Sequence, residues 1–298
     1  MTMADESPAM RLLRSLGCDS LAWSLRRFHC PVPKGALVLE VGSGGNPYPR
    51  ANVLLDAYEV SRERHWAPLA TDRPTVLGFV ENLPFKDKAF DFVIAAHVLE
   101  HSTTPEKFLS ELERVARAGY IEVPDAFLER INPYRDHRLE ITTRDATLVI
   151  RKKAAWQVEP ETVELYEHRV KPLLTSELIP RHPFEFHVRH YWQNKIAYEV
   201  VNPMTDAAWE PPATDNGPQG QSLMSSIRNV ARDWLRGALS QGSRNRTVKL
   251  ESLLQCTSCG SAALQWRAAE IECDTCRTRF PIVQGQVPAM NRGTDRPA

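Results

Sequence analysis

A short apolar run, Val38–Val41, ends in a glycine-rich turn at residues 42–46, and a second apolar run then closes at Asp56. A strand that stops at glycines lets backbone N–H groups approach a ligand closely, because glycine has no side chain in the way. An acid at the end of the next strand can accept hydrogen bonds from both hydroxyls of a ribose. The pattern predicts a nucleoside-binding edge of an α/β sheet. A glycine turn is more often a simple tight turn, so the prediction depends on the residues downstream of Asp56.

Those downstream residues alternate between strand and helix patterns. We predict a buried strand at 91–96, an amphipathic helix at 105–117 and another strand at 119–123. The helix has one apolar face, made of Phe108, Leu109, Leu112 and Val115. Strand, helix and strand at this spacing form a parallel crossover unit.

Four motifs in this region occur in a fixed order and precede Gly119. They are Leu83-Pro-Phe85, Phe90-Asp91, His97-Val-Leu-Glu100-His101 and Glu111-Leu-Glu-Arg114-Val115. The series closely resembles the class I S-adenosylmethionine-dependent methyltransferases over residues 35–152. The resemblance implies a doubly wound, Rossmann-like α/β sheet and S-adenosylmethionine as the cofactor.

The same resemblance assigns the cofactor site. It implies that Glu40 orients the methionine end through the loop, that Gly42 and Gly44 admit it, and that Asp56 holds the ribose. Asn46 stands at the usual third glycine position. The residues expected to bind the cofactor are Glu40, Gly42, Gly44, Asn46, Asp56, Glu81, Asn82, Leu83 and His97.

The cofactor region departs from the common pattern in two places. Pro47 and Pro49 interrupt the stretch where a first crossover helix would run, so that helix is expected to be very short or missing. Phe79 stands where many relatives carry an acid that binds the adenine amino group. Adenine recognition is therefore expected from Glu81, from backbone groups near Asn82 and Leu83, or from stacking.

Methyl transfer is an in-line displacement at a sulfonium, so the protein supplies alignment and, for oxygen or nitrogen acceptors, a base. Four residues are candidates for the base. His97 and His101 follow the fourth strand, at the edge where open parallel sheets bind ligands, and Glu129 and His137 follow the fifth. Each one alone is more often a capping or loop-stabilising residue than a catalyst.

Two other classes of function compete with this interpretation. His97-Val-Leu-Glu100-His101 also spells H-x-x-E-H, the zinc motif of inverted metallopeptidases. That motif needs both histidines on a helix, whereas His97 follows a predicted strand, so the peptidase hypothesis is disfavoured. A methyltransferase fold that has lost its cofactor and acts as a scaffold is the third hypothesis.

Four cysteines form two C-x-x-C pairs separated by thirteen residues, with the sequence spacing of a structural zinc site. Two such pairs on facing turns place four thiolates around one metal ion and leave no open position. The zinc ligands are expected to be Cys256, Cys259, Cys273 and Cys276. Cys18 and Cys30 lack this spacing and are expected to be small buried residues.

The cysteine segment has a lead-in at Leu253 to Cys256 and a tail at Phe280 to Pro288. With these it resembles the small zinc-ribbon proteins that activate tRNA, rRNA and release-factor methyltransferases. The resemblance implies that the ribbon stabilises the methyltransferase domain or shapes its acceptor site. A ribbon that only caps exposed apolar surface is the alternative.

Pattern changes along the chain predict its organisation. Residues 138–143 and 146–152 are expected to form a hairpin that supplies the last, antiparallel strands of the methyltransferase sheet. The predicted segments are an N-terminal helical extension (1–34), the methyltransferase domain (35–155), an added substrate-side element (156–201), a linker (202–221), a basic amphipathic helix (222–248) and the zinc ribbon (249–291).

The balance of charged residues limits how the chain can bind charged partners. The chain has 298 residues with 37 basic and 37 acidic side chains, so any binding to a polyanion has to come from a local patch. Residues 222–249 are such a patch, suited either to an anionic membrane surface or to a nucleic-acid backbone. The alternative is that the apolar face of this helix docks on the methyltransferase domain and its arginines are solvated. We find no transmembrane segment or signal peptide and expect a cytoplasmic protein, with the inner membrane face as a second, peripheral location.

These observations predict a methyltransferase whose acceptor is not identified. The stretches 42–50 and 118–122 resemble a bacterial subgroup associated with cell-surface glycan or lipid assembly, which favours a glycan, lipid or small-molecule acceptor. The alternative is an RNA or protein methyltransferase with a built-in activator domain.

Overall fold

The computed structural model describes residues 5–61, 68–131, 133–156, 165–210 and 238–293. The chain divides into two compact units. The first unit consists of Met1–Pro31, Ala95–Glu106 and Tyr120–Ala213, and the second unit consists of Val32–Ile94, Lys107–Gly119 and Thr214–Ala298. Most of the predicted basic helix at 222–248 lies outside the described residues.

The main sheet has six strands in the order β3-β2-β1-β4-β5-β8. The strands are β1 (Val38–Val41), β2 (Val53–Asp56), β3 (Thr75–Leu77), β4 (Phe92–Ala96), β5 (Ala118–Pro124) and β8 (His187–Gln193). The order 3-2-1-4-5 is that of a doubly wound sheet, in which ligands bind where the strand order reverses, between β1 and β4. The sheet confirms the predicted α/β fold class, and the predicted strands at 91–96 and 119–123 are present as β4 and β5.

In the second unit, β1 and β2 pair in parallel with Leu39 opposite Val53, and all four residues of each strand are buried. Both strands are continuous apolar runs because a parallel sheet is covered on both faces. The connection between them consists of turns, with no helix at residues 42–52. This confirms the missing crossover helix that Pro47 and Pro49 predicted.

Helix α3 (Pro105–Val115) confirms the predicted amphipathic helix, and Phe108, Leu109, Leu112 and Val115 are all buried. Arg114 of this helix also holds a neighbouring loop. The guanidinium donates to the carbonyls of Phe85 (2.6 Å) and Leu83 (2.9 Å) and to both carboxylate oxygens of Glu111. Arg114 thus fixes the loop that leads into β4.

The cysteine-rich segment folds as a four-stranded antiparallel sheet in the order β10-β11-β12-β13. Its strands are β10 (Leu264–Trp266), β11 (Glu270–Cys273), β12 (Arg279–Val283) and β13 (Val287–Pro288). Directly after β13, Ala289 forms a parallel bridge with Leu77 of β3, and Met290 N–H donates to the Leu77 carbonyl at 2.8 Å. The segment therefore covers the open edge of the main sheet, which would otherwise expose unpaired backbone groups.

The first unit holds the helices α1 (Pro8–Ser15), α2 (Asp19–Leu25) and α4 (Ala126–Ile131), and a helical stretch of α and π turns at 166–181. The strands β6 (Leu139–Arg144) and β7 (Thr147–Lys152) form the predicted hairpin. They pair with β9 (Tyr198–Val200) in a separate three-stranded sheet, so the prediction that they complete the main sheet is wrong. The sixth strand of the main sheet is β8.

The error has a physical reason. Along β8, buried side chains alternate with partly exposed ones, and Val188, His190 and Trp192 face inward. The hairpin strand β6 has the same period of two. Periodicity identifies a strand and its buried face, but it does not identify the neighbour with which the strand pairs.

We expect Arg114→Met to lower the free energy of unfolding by about 2 kcal/mol, because two loop carbonyls and Glu111 lose their charged donor. Arg117→Met, at an exposed position two residues after α3, is the matched control and should change it by less than about 0.5 kcal/mol. Urea denaturation of the three proteins measures both values. Equal stability of the two variants would contradict the structural role of Arg114.

Candidate functional site

The turn after β1 has an unusual backbone conformation at two glycines. Gly42 and Gly44 have φ values of +64° and +56°, in the left-handed region where a side chain is strained. Asn46, at the third position, is not among the described residues with positive φ. The turn is held to its surroundings by Ser43 N–H, which donates to the Leu55 carbonyl at 3.2 Å.

The two predicted acids lie on neighbouring strands and hold this turn and the residues just after it. The Glu40 carboxylate accepts a hydrogen bond from Tyr48 N–H at 2.7 Å, and Asp56 Oδ2 accepts one from Gly44 N–H at 3.0 Å. The other oxygen of Asp56, Oδ1, accepts a hydrogen bond from Tyr58 N–H at 3.2 Å. Each oxygen of an ionised carboxylate can accept two hydrogen bonds, so anchoring the loop is compatible with holding a ribose.

The second predicted cofactor segment lies on a 3-10 turn, Val80–Asn82. Leu83 N–H donates to Glu111 at 2.7 Å, and its carbonyl accepts from Arg114, so both backbone groups of Leu83 are bonded to α3. The Asn82 side-chain amide donates to the Thr257 carbonyl at 3.1 Å. Leu83 is also only 1% exposed, so its predicted contact with an adenine is not favoured in this conformation.

Two exposed aromatic rings lie beside this segment. Phe79 is 41% exposed, Tyr58 is 47% exposed, and their ring centroids are 5.9 Å apart in an edge-to-face arrangement. Exposed aromatic side chains are what a stacking site for a purine requires. The sequence analysis offered stacking as an option without Tyr58. The position of Tyr58, two residues after Asp56, was the available signal.

His97 belongs to the first unit and directly follows β4. Its φ of +57° places it in the left-handed region, which is uncommon for a residue with a side chain and concentrates at functional sites. Its ring nitrogens lie 3.2 Å from Glu122 Oε1 and 3.5 Å from Glu100 Oε1. Burial alone would lower the pKa of His97, but the two carboxylates outweigh it and raise the pKa to about 10. At neutral pH His97 is therefore a cation, which donates protons and does not accept them.

Arg26, which the sequence analysis did not select, completes this charge cluster. Its guanidinium makes a two-pronged contact with the buried Glu122 carboxylate, at 2.7 and 2.8 Å, and the Tyr120 hydroxyl donates to the same carboxylate. Burial would raise the pKa of Glu122, but His97 and Arg26 hold it well below its usual value. The glutamate is therefore charged over the whole physiological range.

The other three candidate bases lie together in the first unit. His137 Nδ1 donates to Glu129 Oε2 at 2.7 Å, and Lys153 Nζ donates to the other Glu129 oxygen at 2.6 Å. The rings of His101 and His137 meet edge to face, with centroids 4.8 Å apart. Sequence reasoning selected these residues singly and predicted no contact among them.

Residues 97–101 do not have the geometry of a metallopeptidase helix. β4 ends at Ala96, and Leu99–His101 is a single 3-10 turn. The two histidines of H-x-x-E-H are therefore not one α-helical turn apart. The structure agrees with the sequence analysis in disfavouring that hypothesis.

The four predicted zinc ligands lie together in the second unit. The sulfur atoms of Cys256 and Cys276 are 3.6 Å apart, as are those of Cys259 and Cys273, and all four lie within 4.8 Å of one another. Thiolates about 2.3 Å from a tetrahedral zinc ion are separated by about 3.8 Å. The donor set and its spacing therefore fit a closed tetrahedral metal site.

Residues 39–121 match the model of a protein family described as Methyltransferase domain. An uncharacterized protein of Methanocaldococcus jannaschii is 33% identical over 90 residues, which cover 30% of this chain and 42% of that relative. The chain thus spans less than half the length of the curated relative that it matches.

Two solved structures are also similar. A chain of the Haloferax volcanii complex that contains the Trm112 methyltransferase activator is 15% identical, with a TM-score of 0.34, and the match covers 63% of this chain and 94% of that one. An S-adenosylmethionine-dependent methyltransferase from Aquifex aeolicus is 21% identical, with a TM-score of 0.27, and the match covers 39% of this chain and 73% of that one.

The strand order and the glycine turn after β1 are those of a doubly wound α/β sheet, and residues 39–121 of the chain match the methyltransferase domain family. In the part of the chain that the structure describes, no helix combines the length and the apolar character needed to cross a bilayer.

We expect Arg26→Met to lower the free energy of unfolding by about 3 kcal/mol, since it leaves the buried Glu122 charge with His97 as its remaining cation. Arg11→Met, at an exposed position of α1, is the matched control and should change it by less than about 0.5 kcal/mol. Adding Glu122→Gln to Arg26→Met should recover part of the loss in a urea denaturation series. If the two substitutions are additive, Arg26 and Glu122 are not coupled in the way described.

Proposed function

We propose that this protein transfers a methyl group from S-adenosylmethionine, bound against the turn at residues 42–46. The observation that carries the proposal is that Asp56 holds this turn and Glu40 holds Tyr48 just beyond it, both near the ends of parallel strands in the region that matches a methyltransferase domain. Gly42 and Gly44 would admit the methionine end, Asp56 would hold the ribose, and Phe79 with Tyr58 would contact the adenine. Glu81, Asn82, Leu83 and His97 remain predicted contacts.

The bound cofactor supplies an electrophilic methyl group on a sulfonium. The protein then has to align the acceptor and, for a hydroxyl or amine, accept its proton. The contact with Glu129 at Nδ1 leaves the Nε2 lone pair of His137 for one of two alternative roles, accepting this proton or binding a metal ion. His97, a cation at neutral pH, is better suited to hold negative groups than to act as the base.

We further propose that the cysteine-rich segment is a zinc ribbon that acts as a built-in activator. Its contacts within the second unit support this role, because they reach both cofactor segments. Asn291 donates to the Ala57 carbonyl at 2.6 Å, directly after Asp56, and Arg292 pairs with Glu59 at 3.1 Å. Asn82, on the adenine side, donates to the Thr257 carbonyl. A ribbon in this position would stabilise the loops that bind the cofactor.

For the acceptor, we propose a cell-surface glycan, a lipid or a small molecule, on the sequence resemblance in residues 42–50 and 118–122. The second candidate is an RNA or a protein, which the resemblance of the ribbon to methyltransferase activators favours. Radiolabelled methyl transfer to a fractionated lysate separates the two, with RNA, protein, lipid and small-molecule pools counted apart. Label confined to the RNA or protein pool would overturn the first candidate.

Cofactor binding gives the first direct test. Asp56→Ala should weaken S-adenosylmethionine binding by about 2 kcal/mol, roughly thirtyfold, because a charged acceptor of two hydroxyls is lost. Phe79→Ala should cost about 1–2 kcal/mol through lost stacking. Asp145→Asn and Phe127→Ala, both at exposed positions, are the matched controls and should bind as the parent does.

Isothermal titration calorimetry measures these affinities. Unchanged binding in Asp56→Ala would remove Asp56 from the site. Complete absence of binding in the parent protein would favour the scaffold hypothesis.

Zinc removal tests the ribbon. Cys273→Ser should lose the metal, since a four-thiolate site is closed and depends on all its ligands, and it should also weaken cofactor binding. Cys18→Ser and His97→Ala should both keep one ribbon zinc per chain by elemental analysis. If cofactor affinity is unchanged after zinc loss, the ribbon is a cap on the sheet edge and not an activator.

A further inference from the structure

We propose that Glu100, His101 and His137 form a second metal site in the first unit, which takes a divalent first-row transition ion and leaves coordination positions open for a ligand. Metal binding at this site does not depend on the proposed function. The identity of the ligand, an oxygen or nitrogen of the methyl acceptor, rests on that function.

The first support is distance. One candidate ligand atom from each of the three side chains lies within 4.8 Å of the other two. Imidazole nitrogens and carboxylate oxygens bound to one ion are about 2.0–2.2 Å from it, so their mutual distances reach about 4.4 Å at most. Small side-chain adjustments would therefore bring all three groups onto one ion.

The second support is an unsatisfied acid. Glu100 is only 1% exposed, and no described residue donates a hydrogen bond to either of its carboxylate oxygens. The nearest cationic atom, His97 Nδ1, is 3.5 Å from Oε1, beyond a good hydrogen bond. Burying a carboxylate without hydrogen bonds is costly, so such a group in a native protein calls for an explanation. A bound cation supplies one.

The third support is the orientation of the two imidazoles. His101 Nδ1 lies 3.1 Å from the Asp136 carbonyl, and His137 Nδ1 lies 2.7 Å from Glu129 Oε2. Both partners are acceptors, so each ring carries its proton on Nδ1 and has a lone pair on Nε2. Metal-bound histidines are held in this way by a carbonyl or carboxylate behind the ring. Lys153 in turn holds the other oxygen of Glu129.

The donor set indicates the type of ion. Two imidazoles and one carboxylate suit Zn²⁺, Fe²⁺, Co²⁺ or Mn²⁺, and three protein ligands leave at least one position open, as in catalytic metal sites. The cysteine cluster has four protein ligands and no open position. The chain would thus hold two metal ions of different chemistry, one structural and one accessible to a ligand.

Cobalt titration of the full chain, with its ribbon already loaded with zinc, tests the site. We expect one Co²⁺ per chain to bind saturably, measured by calorimetry and visible absorption, and to raise the melting temperature. Glu100→Gln and His137→Ala should weaken binding at least a hundredfold. Glu129→Gln, which only removes the group behind His137, should weaken it about 10–100-fold. His182→Ala and Glu185→Gln, both exposed, are the matched controls.

Circular dichroism of each variant establishes that it is folded, and elemental analysis establishes that its ribbon zinc is retained. An unchanged isotherm in Glu100→Gln, or no saturable binding in the parent, would overturn the proposal. S-adenosylmethionine titrations of the same proteins keep the two proposals separate. Cobalt binding without cofactor binding would reject the methyltransferase activity but not the metal site, and the reverse result would reject the metal site alone.

Discussion

The hydrogen bond from Gly44 N–H to the Asp56 carboxylate joins the turn after β1 to the end of β2. A usual first crossover carries a helix that packs on the sheet and holds this turn, but residues 42–52 form no helix. The Asp56 carboxylate and backbone hydrogen bonds of Ser43 and Gly44 hold this turn, and Glu40 binds Tyr48 N–H just beyond it. The residues that we propose to bind the cofactor are also the ones that shape its binding loop.

The cysteine-rich segment adds a second constraint on the same region. Its hydrogen bond to Leu77 covers the edge strand, and its contacts with Ala57, Glu59 and Asn82 reach the loops after β2 and β3. Backbone pairing at a sheet edge needs no particular side chains, whereas the loop contacts do. This combination is the basis of our proposal that the segment supports cofactor binding as well as stability.

The first unit contains two clusters of buried charged side chains. Arg26, His97 and Glu122 form a paired cluster in which each charge has a partner. Glu100, His101 and His137 form a cluster in which the carboxylate accepts no hydrogen bond from the described residues and has His97, at 3.5 Å, as its ion-pair partner. Paired buried charges stabilise a structure only modestly, because desolvation offsets most of their attraction. A buried carboxylate without hydrogen bonds lowers stability, which is why we propose a ligand for Glu100.

The sequence by itself determined the fold class, the elements β4, α3 and β5, the missing crossover helix and the four cysteines. These features follow from apolar periodicity, proline positions and C-x-x-C spacing, each of which is a property of a few neighbouring residues. Only the tertiary structure decided that β8 and not the hairpin joins the main sheet, that Arg26 meets Glu122, and that Glu100 lies unsatisfied beside two oriented histidines. Arg26 and Glu122 are 96 positions apart, and His137 is 36 residues beyond His101. Such contacts join residues that are far apart along the chain, and no local sequence pattern indicates which distant residues meet.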